Sequence, residues 1–157
     1  MSKIVSILGS TGSIGTQALD VIKKAGFSVS ALTANSSVAV LEKQIREFKP
    51  KLAAVCDEKA AADLKVRVSD TFTKVLSGEE GVCECAACEE SDIVLNSVVG
   101  MAGLKPTLTA IEAGKDIALA YKETLVAGGR IVIDSAKRKN VKIYPVDSAH
   151  SAIFQCL

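Results

Sequence analysis

Short apolar runs recur along this chain, and most are followed by a stretch whose apolar residues fall three or four apart. Ile4 to Leu8 is the first run, and Ile14, Ala18, Leu19, Val21 and Ile22 follow it at helical spacing. Period and length together read as a buried strand and an amphipathic helix. The alternation continues: a strand over Phe27 to Leu32, then a helix carried by Val38, Leu41, Ile45 and Phe48 and ended by Pro50. Further strands are predicted at Leu52 to Val55, Lys74 to Leu76, Ile93 to Ser97, Asp116 to Ala120 and Val141 to Tyr144. Helices are predicted over Glu58 to Lys65, Gly78 to Cys88, Leu104 to Ile111, Lys122 to Lys139 and from Ser151 onward. Strands alternating with helices at this rhythm form βαβ units with right-handed crossovers. The fold class is α/β, a doubly wound, mainly parallel sheet. At 157 residues the chain is expected to form one domain, 1–157.

The first strand runs into Gly9-Ser10-Thr11-Gly12-Ser13-Ile14-Gly15, and the first helix leaves it. Glycines permit a tight turn and a close approach to the backbone, while unpaired amides at a helix start attract an anion. In that position the loop reads as the pyrophosphate site of a Rossmann-like dinucleotide-binding domain. Its G-x-x-G-x-x-G spacing departs from the commoner G-x-G-x-x-G, and Ser10, Thr11 and Ser13 add hydroxyl donors. An ordinary strand-to-helix turn is the plainer alternative. In such sheets the loops at the strands' carboxyl ends share one rim, which brings 9–13, 121–123 and 145–150 together. NAD-preferring domains end the second strand in an acid, whereas here it ends at Thr33 and the next acid is Glu42, inside a helix. The loop offers Asn35, Ser36 and Ser37, the last a candidate helix cap, with Lys43 and Arg46 the nearest cations. NADP is therefore preferred over NAD.

Composition narrows the partners. A net charge of +1 and 4% aromatic residues argue against nucleic acid, and no apolar run is long enough for a membrane span. With no signal-peptide pattern at the start, a cytoplasmic protein is expected. Five cysteines suit a reducing compartment. Cys83, Cys85 and Cys88 invite a zinc reading but lack an obvious fourth ligand, so small, partly buried thiols on a helix are preferred.

Three later stretches carry a resemblance. Residues 98–108 (VVGMAGLKPTL), 118–126 (ALAYKETLV) and 145–155 (PVDSAHSAIFQ), with the glycine loop in register, resemble 1-deoxy-D-xylulose 5-phosphate reductoisomerases. That family converts 1-deoxy-D-xylulose 5-phosphate to 2-C-methyl-D-erythritol 4-phosphate in non-mevalonate isoprenoid biosynthesis. A metal-assisted rearrangement of the carbon skeleton precedes hydride transfer from NADPH. The resemblance implies that Gly9, Thr11, Gly12, Ser13 and Ile14 cradle the cofactor, that Asn35, Ser36 and Ser37 face its ribose, and that Tyr121 and Glu123 lie against it. It implies substrate contacts from Lys122 and Ser148, and a divalent cation (Mn2+, Mg2+ or Co2+) on Asp147. A phosphorylated sugar is the implied substrate and a homodimer the implied assembly. Residues 148–157 would begin a catalytic domain that continues in family enzymes.

Three departures stand against a full transfer of that chemistry. Ala149 occupies the position of a metal-binding Glu, Tyr121 that of an Asn, and Asn35-Ser36-Ser37 that of a loop carrying a phosphate-binding cation. Metal binding is expected to be weak, and the chain alone inactive. A non-catalytic nucleotide-binding module is the alternative, in which Asp147 caps a helix and Lys122 and Glu123 are solvated first-turn residues. His150 has no partner carboxylate at helical spacing and reads as a surface or capping residue. A generic Tyr-x-x-x-Lys oxidoreductase is disfavoured, because Leu125 stands where Tyr121 would need a lysine.

Overall fold

The computed structural model describes residues 3–98, 100–120 and 123–145. Strand β1 (Ile4–Leu8) feeds α1 (Ser13–Ala25), which stops at Gly26. Then come β2 (Ser28–Ala34), α2 (Val38–Phe48), β3 (Leu52–Val55), α3 (Glu58–Arg67), β4 (Lys74–Ser77) and α4 (Gly78–Ala86). Strand β5 (Ile93–Asn96), a 3-10 turn (Gly100–Gly103), α5 (Leu104–Glu112), β6 (Asp116–Leu119), α6 (Glu123–Lys139) and β7 (Ile143–Pro145) complete the described chain. The seven strands form one sheet in the order β4-β3-β2-β1-β5-β6-β7. Every adjacent pair is parallel.

Side chains alternate between the sheet's two faces, so each face carries its own core. On one side Val5, Ile7, Leu32, Val55 and Leu95 meet Leu19 and Ile22 of α1, Leu41 and Ile45 of α2, and Leu64 of α3. On the other, Leu8, Ala54, Val94, Ile117 and Leu119 meet Val82 and Cys85 of α4, Ile111 of α5 and Val132 of α6. Burial on both faces is why these strands read as nearly continuous apolar runs. A register shift between Val5 and Ser6 leaves Ser30 as the extra residue of β2. Its hydroxyl joins those of Ser6 and Ser91 in a buried hydrogen-bonded cluster.

Sequence patterning places the elements well and misjudges some ends. Strand β2 runs to Ala34, because Thr33 and Ala34 pair in register with Ala54 and Val55 of β3. Ser37 does precede α2, but its side chain makes no capping hydrogen bond. Helix α2 stops at Lys49, in a left-handed conformation just before Pro50. Helix α3 reaches Arg67 rather than Lys65, and β7 begins at Ile143 rather than Val141. Helix α6 bends at Gly128, where the backbone leaves helical geometry. The helix expected from Ser151 lies outside the described residues.

Candidate functional site

Sheet order reverses beside β1: β2 lies on one side and β5 on the other. Loops after these two strands must part there, which opens a crevice at their carboxyl ends. The glycine loop sits in that crevice, and its shape follows from local constraints. Gly9 has a φ of +80°, and a Cβ there would stand 3.0 Å from the Ser97 carbonyl oxygen. Gly15 faces a stricter limit, since its Cβ would fall 2.3 Å from the Gly9 carbonyl oxygen. Only a residue without a side chain lets α1 start this close to β1. Gly12, by contrast, would meet nothing nearer than 3.8 Å. Its openness leaves the approach to the helix start clear.

Neighbouring strands hold the loop in place. The Gly9 amide donates to Thr33 Oγ1 at 2.9 Å and the Ser10 amide to the Thr33 carbonyl at 2.8 Å. Ser97 donates through its hydroxyl to the Leu8 carbonyl at 2.7 Å. The Ser10 hydroxyl is fully buried and donates to Gln44 Oε1 at 2.7 Å, while Gln44 Nε2 donates back to the Ser10 carbonyl at 2.9 Å. This corrects the expectation that Ser10 offers a hydroxyl to an anion: it pins the loop to α2 instead. The amides of Ser13, Ile14 and Gly15 have no backbone acceptor among the described residues, and Thr16 makes the first helical bond, to Gly12. No acidic residue lies in the first turn of α1. These amides and the helix dipole favour an anion at this point.

A cavity of about 600 Å³ opens over the loop. Gly9, Thr11 and Gly12 line it together with Asn35 after β2 and Cys56 after β3. Glu79 and Val82 of α4, Ser97 and Val98 after β5, and Ala102 and Pro106 complete its walls. Burial raises the Cys56 thiol pKa first, with a smaller push from the Glu79 charge. Lys105 pairs with Glu79 at 3.0 Å across the cavity's rim, which raises the lysine's pKa.

Several expected site residues stand apart from this wall. Ile14 packs its side chain into the core, so only its amide is available at the loop. Ser13 accepts a hydrogen bond from Gln17 Nε2 at 3.3 Å. Ser36 and Ser37 are exposed beyond Asn35. Arg46, one of the two candidate cations, is committed elsewhere: it donates to both Asp70 carboxylate oxygens, to Glu42 and to the Arg67 carbonyl. Glu42 also pairs with Arg67. Lys43 is exposed. Tyr121, Lys122, Asp147, Ser148, Ala149 and His150 lie outside the described residues, as does the side chain of Glu123. Among the described residues no group of three His, Cys, Asp or Glu side chains is placed to hold a metal. Cys83, Cys85 and Cys88 are buried beside the sheet, and burial pushes the Cys85 thiol pKa strongly up. No described helix is long and apolar enough to cross a membrane.

The family model for 1-deoxy-D-xylulose 5-phosphate reductoisomerase matches residues 5–129. The chain belongs to this family. A reductoisomerase of Lachnospira eligens is 56% identical over 156 residues, which is 99% of this chain and 41% of that protein. The Zymomonas mobilis reductoisomerase solved in complex with NADPH superposes with a TM-score of 0.89 at 38% identity, covering 100% of this chain and 42% of that one. A reductoisomerase solved with NADPH, fosmidomycin and magnesium gives 0.89 at 42% identity, over 99% of this chain and 39% of that one. The chain thus spans about two fifths of the length of the reductoisomerases it matches.

Family membership accounts for the α/β fold. Sequence reasoning found Gly9, Thr11, Gly12 and Asn35 on the cavity wall and missed Cys56, Glu79, Ser97 and Pro106. Cys56, Glu79 and Ser97 follow other strands or start a helix and carry no motif of their own, while Pro106 lies in the 98–108 stretch, which implied no site role for it. Strand order was the missing information. Once β3 is known to lie beside β2, the residue after it must flank Asn35, and the Asp57 amide indeed donates to the Asn35 carbonyl at 3.0 Å.

Proposed function

We propose that this chain holds NADPH across the carboxyl ends of β1, β2, β3 and β5, as the coenzyme-binding part of a 1-deoxy-D-xylulose 5-phosphate reductoisomerase. The observation that carries this reading is the set of unengaged amides at Ser13, Ile14 and Gly15, next in the chain to Gly9, Thr11 and Gly12 on the wall of a cavity of about 600 Å³. A diphosphate fits there: the donors are main-chain groups, Gly12 leaves the approach open, and no carboxylate lies in the first helical turn. Thr11 and Gly12 would hold the bridge, Ser13 and Ile14 would contribute amides, and Asn35 would face the ribose, with Ser36 and Ser37 beyond it. NADPH supplies a hydride when bound, and the crevice fixes where it can be delivered. NADP is favoured over NAD because the β2–α2 loop holds no carboxylate and Glu42 is occupied by two arginines.

Residues 1–157 act as one dinucleotide-binding unit, with 148–157 leading into a catalytic part. In that setting Tyr121 and Glu123 would lie against the coenzyme, Lys122 and Ser148 would touch a phosphorylated sugar, and a pair of subunits would form the working assembly. The donor set for a divalent cation does not fit as it stands. Residues 146–150 supply one carboxylate, Asp147, and Ala149 supplies none, whereas Mg2+ or Mn2+ wants a shell of oxygens. This chain is accordingly proposed to bind coenzyme without turning substrate over.

Titration with NADPH and NADH, followed by nicotinamide fluorescence and thermal shift, tests the reading. NADPH is expected to bind about tenfold tighter than NADH and to raise the unfolding temperature; this ratio corresponds to roughly 1.4 kcal/mol. Equal affinities would remove the NADP preference, and binding of neither would remove the proposal.

A further inference from the structure

Beyond the glycine loop itself, the cavity's remaining walls have a different chemistry. Cys56, Val82, Val98, Ala102 and Pro106 make them largely apolar, a slot that spans from β3 to β5. Strand order fixes its place. Sheet position β3 lies beyond β2 from the glycine loop, and the Cys56 amide donates to the Ala34 carbonyl at 3.0 Å, so Cys56 flanks Asn35. Val82 packs in the same core cluster as Ala54, which seats the start of α4 over the carboxyl end of β3. On the coenzyme reading, which this inference rests on, diphosphate at Gly12 and ribose at Asn35 leave the base in this slot.

One carboxylate stands among these walls, Glu79 in the first turn of α4. Lys105 Nζ takes its Oε1 at 3.0 Å. Oε2 has no ion-pair partner among the described residues. The pair is exposed at the cavity's rim and leaves one carboxylate oxygen as an acceptor there. Apolar pockets with a single placed polar group use that group to orient and select a ligand. We propose that Glu79 reads the base of the coenzyme, accepting the 6-amino group of adenine through the oxygen that Lys105 leaves free. A base with a carbonyl at that position, such as hypoxanthine, would set lone pairs against a carboxylate. A site built to accept a hydrogen bond rejects the analogue that cannot donate one.

The test uses the full chain with NADPH and its hypoxanthine analogue, deamino-NADPH, titrated by nicotinamide fluorescence against wild type, Glu79→Gln and Lys105→Ala. Wild type is expected to bind NADPH about tenfold tighter than the analogue. Glu79→Gln should shrink that ratio to about threefold or less, because an amide can donate to the carbonyl as well as accept. Lys105→Ala should keep the wild-type ratio, which separates base reading from a purely structural ion pair. A ratio unchanged in Glu79→Gln, or equal binding of both nucleotides by wild type, would overturn the inference and leave the coenzyme site standing. Wild type binding neither nucleotide would overturn the coenzyme reading and this inference with it. Should Glu79→Gln fail to fold, Glu79→Ala is titrated in its place: loss of the discrimination supports the inference, and the wild-type ratio overturns it.

Discussion

Gly12 and Gly15 lie three residues apart in one loop, and the sequence motif treats them alike. The structure separates them. At Gly15 an added methyl would collide with rigid backbone, the Gly9 carbonyl oxygen 2.3 Å away, so either β1 or α1 must move. At Gly12 the same methyl meets nothing nearer than the Gly9 carbonyl oxygen at 3.8 Å, an ordinary contact. Gly15→Ala is therefore expected to destabilise the fold by about 3 kcal/mol, in the range of overpacked cores. Gly12→Ala should cost less than about 1 kcal/mol in stability, as small changes at a helix start do. It should nonetheless weaken NADPH binding, because the methyl stands where a diphosphate would approach. Urea unfolding and coenzyme titration of the two variants check this, and equal behaviour would contradict it. Ser10 teaches the complementary lesson. Its place in the loop suggested an anion contact, but its role is set by Gln44, a buried polar residue of α2 thirty-four positions away.

Among the elements, existence and type were legible because each carries its own period. All seven strands and six helices of the described chain stand where the sequence predicts them, and apolar spacing marks the clearest, such as α1 and α2. Their ends were less legible, because ends are settled by neighbours. Thr33 extends β2 because β3 pairs with it and because the Gly9 amide needs its hydroxyl. Between α2 and the turn that follows α3 the tie is electrostatic: Arg46 donates to Asp70 at 3.0 and 3.1 Å. This pairing holds the Asp70 carboxyl below its ordinary pKa. The contribution is complete above the unfolded carboxylate range and is lost as pH falls through the depressed value. Asp70→Asn should therefore flatten the acid limb of the stability profile slightly and lower stability at pH 7 by the same small amount, since the pair is exposed. Unfolding midpoints measured from pH 2 to pH 7 check the direction.

At the scale of the whole molecule, the sheet order and the meeting of distant loops decide what the chain does. Alternating elements made a parallel sheet readable, but not that β3 and β4 extend it beyond β2, which is what brings Cys56 and Glu79 to the cavity. The sequence leads us to expect the chemistry of 121–123 and 145–150 at the same rim. If Ala149 is what limits metal binding there, Ala149→Glu should strengthen Mn2+ affinity about tenfold or more, as a second carboxylate joins Asp147. Unchanged affinity by calorimetry would put the metal elsewhere. The chain itself should not consume NADPH when 1-deoxy-D-xylulose 5-phosphate is added, and steady consumption by pure protein would show that its residues suffice for turnover.

The account stands on main-chain amides gripping a diphosphate at the start of α1. The most direct measurement is an amide-resolved NMR titration with NADPH. The largest shifts are expected at Thr11, Gly12, Ser13, Ile14 and Gly15, with smaller ones at Asn35 and Ser97. Saturable shifts confined to other surfaces, or none at these amides at millimolar coenzyme, would contradict it.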